Sequence, residues 1–200
     1  EYNRYGQLIT IRDPKDHETT FTYDAFGRRI GRTLPMGQTE NMAYNNLGQL
    51  VRKTDFNGQM TEFVYDRFGR ISDRFLYESD AGSPQRRTRF LYDERGRQIF
   101  IIEGTGSTAT PRPPDAVERI TEKAYDQHGR LVRVSSPEGT VNYEYDQVTG
   151  RRVRTWTAHT DSRYRYDEFG RLGSVSVVKR HGSILPEPAV TTYAYNARGS

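Results

Sequence analysis

Tyr65-Asp66-Arg67-Phe68-Gly69-Arg70-Ile71 is the stretch that decides the fold. Asp favours the first position of a type I turn, where its side chain accepts bonds from nearby backbone N–H groups. Gly favours the fourth, where φ is positive and a Cβ is unwelcome. Tyr-Asp-x-x-Gly-Arg therefore predicts a tight β-hairpin with a glycine bulge. The residues leading in agree. Thr61, Phe63 and Tyr65 occupy every second position, as on one face of a half-buried strand.

The same six residues recur along the chain, with Asn in place of some Asp and Gln in place of some Arg. The tyrosines are Tyr2, Tyr23, Tyr44, Tyr65, Tyr92, Tyr125, Tyr145, Tyr166 and Tyr195, and the first three spacings are each 21. Longer spacings place insertions near 77–89, 103–116 and 178–190. One turn carries an extra residue, Asp146-Gln147-Val148-Thr149-Gly150. The third residue after each motif glycine is Ile9, Ile30, Val51, Ile99, Val132 or Val153 in six units, and these β-branched types favour strands. A second turn closes each unit, clearest at Pro35-Met36-Gly37, Asn57-Gly58 and Pro137-Glu138-Gly139, and looser at Asp13-Pro14-Lys15-Asp16.

Each unit thus reads strand, Tyr-Asp turn, strand, second turn. Nine units predict about 16–18 strands, too many for a flat open sheet. The expected architecture is all-β: a long, curved, antiparallel sheet of repeated hairpins, a single array over residues 1–200. Such repeats contact mainly their neighbours. One short helical turn is expected inside an insertion, at Pro114–Arg119. The Arg or Gln after each glycine is expected to pair across strands with Asp or Glu, or to stack on Tyr. Because residue 1 enters directly on the Tyr2-Asn3 turn, the chain is expected to be a piece of a longer protein.

Composition narrows the function. Hydrophobic residues make up 34% and charged residues 28%, so the core is thin. Fourteen Tyr and nine Phe argue against disorder. No apolar run approaches the ~18 residues of a membrane-spanning helix. With no Cys there are no disulfides, thiolate nucleophiles or Cys-bound zinc. Of 30 basic residues, four are Lys (Lys15, Lys53, Lys123 and Lys179), leaving 26 Arg against 26 acidic residues. That near balance, interspersed along the chain, does not match the one-sided excess of a nucleic-acid binder.

The motif resembles the YD repeat of the Rhs family, which bacterial Tc-toxin C subunits, wall-associated bacterial proteins and animal teneurins share. The near-consensus copies are Tyr65–Ile71 and Tyr166-Asp167-Glu168-Phe169-Gly170-Arg171-Leu172. The resemblance implies a β-strip that spirals into a hollow shell. In the bacterial members that shell encloses a C-terminal toxic polypeptide. The Asp-Pro-x-Gly signatures that end such shells do not occur here, so the chain is expected to be wall, neither toxin nor protease.

The repeat residues are the candidate sites. They are Tyr23, Asp24, Gly27 and Arg28; Tyr65, Asp66, Gly69 and Arg70; Tyr92, Asp93, Gly96 and Arg97; Tyr125, Asp126, Gly129 and Arg130; and Tyr166, Asp167, Gly170 and Arg171. A carboxylate column suggests Ca²⁺ or glycoside cleavage, but Asn3, Asn45 and Asn196 replace Asp, as a turn tolerates and a ligand set does not. The Tyr and Arg columns suggest stacking on sugars, which the family has been linked to, or on single-stranded nucleic acid. Sheet packing explains them more simply, as it does Trp156. His17, His128, His159 and His181 lack metal spacing. No catalytic, cofactor or metal residue is expected, and the chain reads as non-enzymatic. The expected role is a segment of a secreted or cell-surface bacterial shell around a C-terminal effector, its partners the rest of the parent chain. The alternative is an extracellular carbohydrate-binding or adhesion module.

Overall fold

The computed structural model describes residues 1–78, 84–105 and 118–196. All the regular structure there is β: sixteen antiparallel strands form one open sheet, ordered β1 to β16 as in the chain. The expected helical turn at Pro114–Arg119 lies outside the described residues, save that Glu118 precedes a strand beginning at Arg119. No helix of the described residues is long and apolar enough to cross a membrane.

The chain divides into two compact units, Glu1–Leu91 with Ile101–Arg119, and Tyr92–Phe100 with Ile120–Ser200. In the first, β1 (Thr10–Arg12), β2 (Glu18–Tyr23), β3 (Arg29–Thr33), β4 (Thr39–Tyr44), β5 (Leu50–Thr54), β6 (Met60–Tyr65), β7 (Ile71–Tyr77) and β8 (Arg86–Tyr92) pair in succession. β9 (Gln98–Thr105) follows. In the second, β10 (Arg119–Tyr125), β11 (Leu131–Ser136), β12 (Gly139–Tyr145), β13 (Arg152–Trp156), β14 (Asp161–Tyr166), β15 (Leu172–Arg180) and β16 (Ser183–Thr192) do the same.

Burial is shallow. Among the described residues the buried apolar side chains are Met60 and Phe75, 3% and 4% exposed. Cohesion comes from the ladders and from cross-strand pairs, each worth roughly 0.2–1 kcal/mol. A threonine row, Thr10, Thr20, Thr33 and Thr39 in mutual register, crosses the first four strands. Gly31 lies opposite Thr22, whose hydroxyl sits where a Cβ at Gly31 would need room.

Every Tyr-Asp turn of the regular kind is built alike. The Asp24 N–H donates to the Arg28 carbonyl at 2.9 Å and the Gly27 N–H to the Asp24 carbonyl at 3.0 Å. Gly27 stands at φ 81°. Opposite edges share this geometry in the first unit. The 34–38 and 55–59 turns have the same pair of backbone bonds, and so does 13–17, where Asp16 takes the glycine place at φ 61°. The stretch read as a loose turn is therefore the same motif with Asp in a glycine's position.

After the turns at Tyr23, Tyr44, Tyr65, Tyr125, Tyr145 and Tyr166 the register slips by one residue. Tyr23 opposes Arg29 while Thr22 opposes Gly31, and Tyr65 opposes Ile71 while Val64 opposes Asp73. These bulges place a carbonyl two residues beyond each glycine outside the regular ladder. That carbonyl becomes the acceptor on which the repeats are joined.

Candidate functional site

The repeat motif is a joint between successive hairpins, built by three side chains and a glycine. Asp works within its own turn. In the Asp66 turn, one carboxylate oxygen accepts the N–H of Phe68 at 2.8 Å and of Arg70 at 3.0 Å. The other accepts the Arg70 guanidinium, Nε at 2.7 Å. Asp24 with Arg28, Asp93 with Arg97, Asp126 with Arg130 and Asp167 with Arg171 repeat this at 2.6–2.7 Å.

At Asn3 and Asn45, where Asn stands for Asp, Gln stands for Arg, whereas Ser200 follows Asn196 at that place. Asn3 Nδ2 donates to Gln7 Oε1 at 2.6 Å and Asn45 Nδ2 to Gln49 Oε1 at 2.8 Å. The charge is exchanged as a pair and the geometry stays. The longer Asp146 turn departs from the rule: Thr149 Oγ1 donates to Asp146 Oδ1 at 2.7 Å, and the Arg151 N–H turns to Thr149 Oγ1 at 3.4 Å. The column after the glycine was expected to pair across strands with Asp or Glu, or to stack on Tyr; it does stack on Tyr, that of the next repeat, but its ion pair does not cross strands. It pairs inside its own turn instead, because the tight turn brings residues i and i+4 side by side.

The free end of that side chain reaches the next repeat. Arg28 NH1 donates to the Asn45 carbonyl at 3.3 Å, and its guanidinium lies 4.7 Å from the centre of the Tyr44 ring. Arg97 covers Tyr125 at 4.8 Å, Arg130 covers Tyr145 at 4.9 Å and Arg171 covers Tyr195 at 4.6 Å. Such cation–π contacts contribute roughly 0.5–1 kcal/mol at exposed sites.

Tyrosine closes the joint from the other side. The Tyr23 hydroxyl donates to the Leu8 carbonyl, Tyr44 to Arg29, Tyr65 to Leu50, Tyr125 to Gln98, Tyr145 to Leu131, Tyr166 to Arg152 and Tyr195 to Leu172, at 2.7–3.1 Å. Each acceptor is the carbonyl two residues beyond the glycine of the preceding repeat. The joint is unchanged where 33 residues separate Tyr92 from Tyr125. Tyr92 itself ends β8. Glycine has a second duty as well: a Cβ at Gly69 would come 3.1 Å from Gln49 Nε2, and one at Gly129 3.8 Å from Arg97 NH1.

The electrostatics follow. Partial burial alone would push the carboxyls of Asp24, Asp66, Asp93, Asp126 and Asp167 up. The backbone N–H groups and guanidinium facing each outweigh it and hold all five below the usual carboxylate range. Burial pushes the Tyr65 hydroxyl up. On another part of the sheet, burial and then the bond to Glu62 push Tyr77 up to about 12. A carboxylate already committed to three donors is a poor ligand or general base. Among the described residues no group of three His, Asp or Glu could hold a metal ion. Trp156 packs under Arg154, 4.6 Å from its guanidinium, while that arginine grips Asp161.

Residues 2–39 match the family described as RHS Repeat. A solved TcdB2-TccC3 structure matches with a TM-score of 0.52 and 15% identity, over 96% of this chain and 12% of that one. A Tc holotoxin pore of Photorhabdus luminescens gives 0.48 and 18%, over 100% of this chain and 13% of that one. At these identities the likeness is one of fold, and the first match carries it. This chain spans about an eighth of the length of those it matches. No curated protein matches it.

Proposed function

Starting from a chain built of Rhs/YD repeats, we propose that it is a segment of a β-shell enclosing a polypeptide effector, within a toxin of a secreted or cell-surface bacterial delivery system. Its partners are the further repeats of the parent chain and the cargo. The chain forms wall and performs no catalysis.

One observation carries this reading: the motif's functional groups are spent on neighbouring repeats. The Tyr65 hydroxyl is held by the Leu50 carbonyl, and the Asp66 carboxylate by its turn and Arg70. Polar groups that could bind or transform a substrate are instead hydrogen-bonded within the sheet. The Tyr44, Tyr125, Tyr145 and Tyr195 rings each have a guanidinium over one face, which a sugar stacking there would have to displace. This favours the wall over the carbohydrate-binding alternative. The proposed mechanism is exclusion: a wall keeps an incompletely folded cargo from proteases and from the producing cell.

Limited proteolysis of the full-length parent, followed by intact mass spectrometry, tests it. A fragment outside the repeats that resists protease until the fold is disrupted supports enclosure. Free cleavage of that fragment in the native parent contradicts it.

A further inference from the structure

The two faces of β5–β8 differ in how their cations are paired. On one face of β5–β8, Arg52 pairs with Glu62 at 2.7 Å, and Arg87 and Arg89 pair with Asp73 at 2.7 and 3.2 Å. Every one of these cations meets a carboxylate. On the other face of the same strands lie Lys53, Arg74 and Arg86, placed there by registers Lys53↔Thr61, Phe63↔Arg74, Arg74↔Thr88 and Leu76↔Arg86. Lys53 reaches Glu40 on β4 at 2.7 Å. Arg74 donates only to the Thr88 hydroxyl, at 3.3 Å. Neither Arg74 nor Arg86 has a carboxylate partner among the described residues.

Those two arginines line a cleft of about 280 Å³ together with Phe63, Leu76, Thr61 and Thr88. Both are exposed, whereas Phe63 and Leu76 are half-buried and Thr88 is 3% exposed. Two guanidinium groups lining a cleft with Phe63 and Leu76 fit a carboxylate carried on an aliphatic stem. Arginine pairs such a group through parallel N–H bonds. An extended chain presents every second side chain to one side, ~6.6–6.8 Å apart. Half-buried Phe63 offers little open ring for a base to stack on, which disfavours single-stranded nucleic acid.

We propose that this cleft docks an acidic side chain of an extended, Glu- or Asp-rich polypeptide. The site stands whether or not the wall encloses cargo, because it needs only the exposed arginine pair.

The test uses the full chain and a fluorescein-labelled decaglutamate at low ionic strength, followed by anisotropy. The native chain should bind it, and added salt should weaken binding. Arg74→Gln with Arg86→Gln should weaken binding at least tenfold. Arg163→Gln with Arg165→Gln, on the other face of β14, should leave it unchanged. Arg74→Glu with Arg86→Glu should lose decaglutamate and gain decalysine, a gain that an unfolded variant would not give in the same salt-sensitive form. No binding by the native chain, equal binding by the Gln double variant, or preferential binding of an oligothymidine of equal length would each overturn the proposal. Protease protection in the parent is a separate readout, so either claim can fail without the other.

Discussion

The Tyr65 hydroxyl donates to the carbonyl of Leu50, fifteen residues earlier, at 2.7 Å. The carbonyl is available because the register slips there: Tyr44 opposes Leu50 while Ala43 opposes Arg52, leaving Val51 without a partner. A local defect in one hairpin is thus the docking point for the next. A repeat protein whose units contact mainly their neighbours gains its stability from such interfaces.

Tyr65→Phe removes one hydrogen bond and keeps the ring. It leaves the Leu50 carbonyl without its donor, and should cost about 1–2 kcal/mol. Urea unfolding of the variant should show a lower midpoint with an unchanged slope. An unchanged midpoint would mean that solvent satisfies the carbonyl as well as tyrosine does.

Asp66 and Arg70 should behave as a matched pair. Asp66→Asn alone leaves the guanidinium facing a neutral amide. Asp66→Asn with Arg70→Gln recreates the Asn45–Gln49 arrangement and should recover much of the lost stability, while Asp66→Ala, which also loses the oxygen that accepts the Phe68 and Arg70 N–H groups, should be worst. A double-mutant cycle on melting temperatures checks the order. Additive effects at Asp66 and Arg70 would contradict the pairing.

Gly69 stands at φ 78°, and a Cβ there would press on Gln49 Nε2. Gly69→Val should cost more than the ~1–2 kcal/mol of placing an ordinary side chain in that region. The converse holds at Asp16, which occupies the same place in its turn at φ 61°. Asp16→Gly should be neutral or stabilising. Thermal unfolding of both variants gives the comparison, and a stable Gly69→Val chain would refute the turn geometry.

Acid should weaken the sheet in a definite window. The five turn aspartates have folded values below the unfolded one, so the unfolded chain binds protons first as pH falls. Their contribution is fully present above the unfolded value of ~3.9 and is lost as pH drops through the lower folded values. Unfolding free energy from these groups should be flat from pH 7 to about 5 and fall below 4. The Asn45 turn should not respond. A steep loss between pH 7 and 5 would place the controlling groups elsewhere.

The hairpins were legible because their signals are local. Asp66 and Gly69 specify a turn within four residues, and Thr61, Phe63 and Tyr65 mark a strand face by alternation. The Asp–Arg and Asn–Gln matching was also visible, since Asn3 with Gln7 and Asn45 with Gln49 change together, yet it reads as pairing only once residues i and i+4 are known to lie side by side. The role of Tyr65 was hidden. Gly48 announces a bulge, but not that the Leu50 carbonyl beside it meets a hydroxyl fifteen residues later. The difference in cation pairing between the faces of β5–β8 was hidden for a related reason: sorting Arg74 from Asp73 by face requires the strand registers on either side.

Electron cryomicroscopy of the full-length parent tests the central claim most directly. The account predicts these repeats within a closed β-wall, with polypeptide density from beyond the repeats on its inner side. An open sheet with both faces in solvent, or a closed wall around no polypeptide, would contradict it.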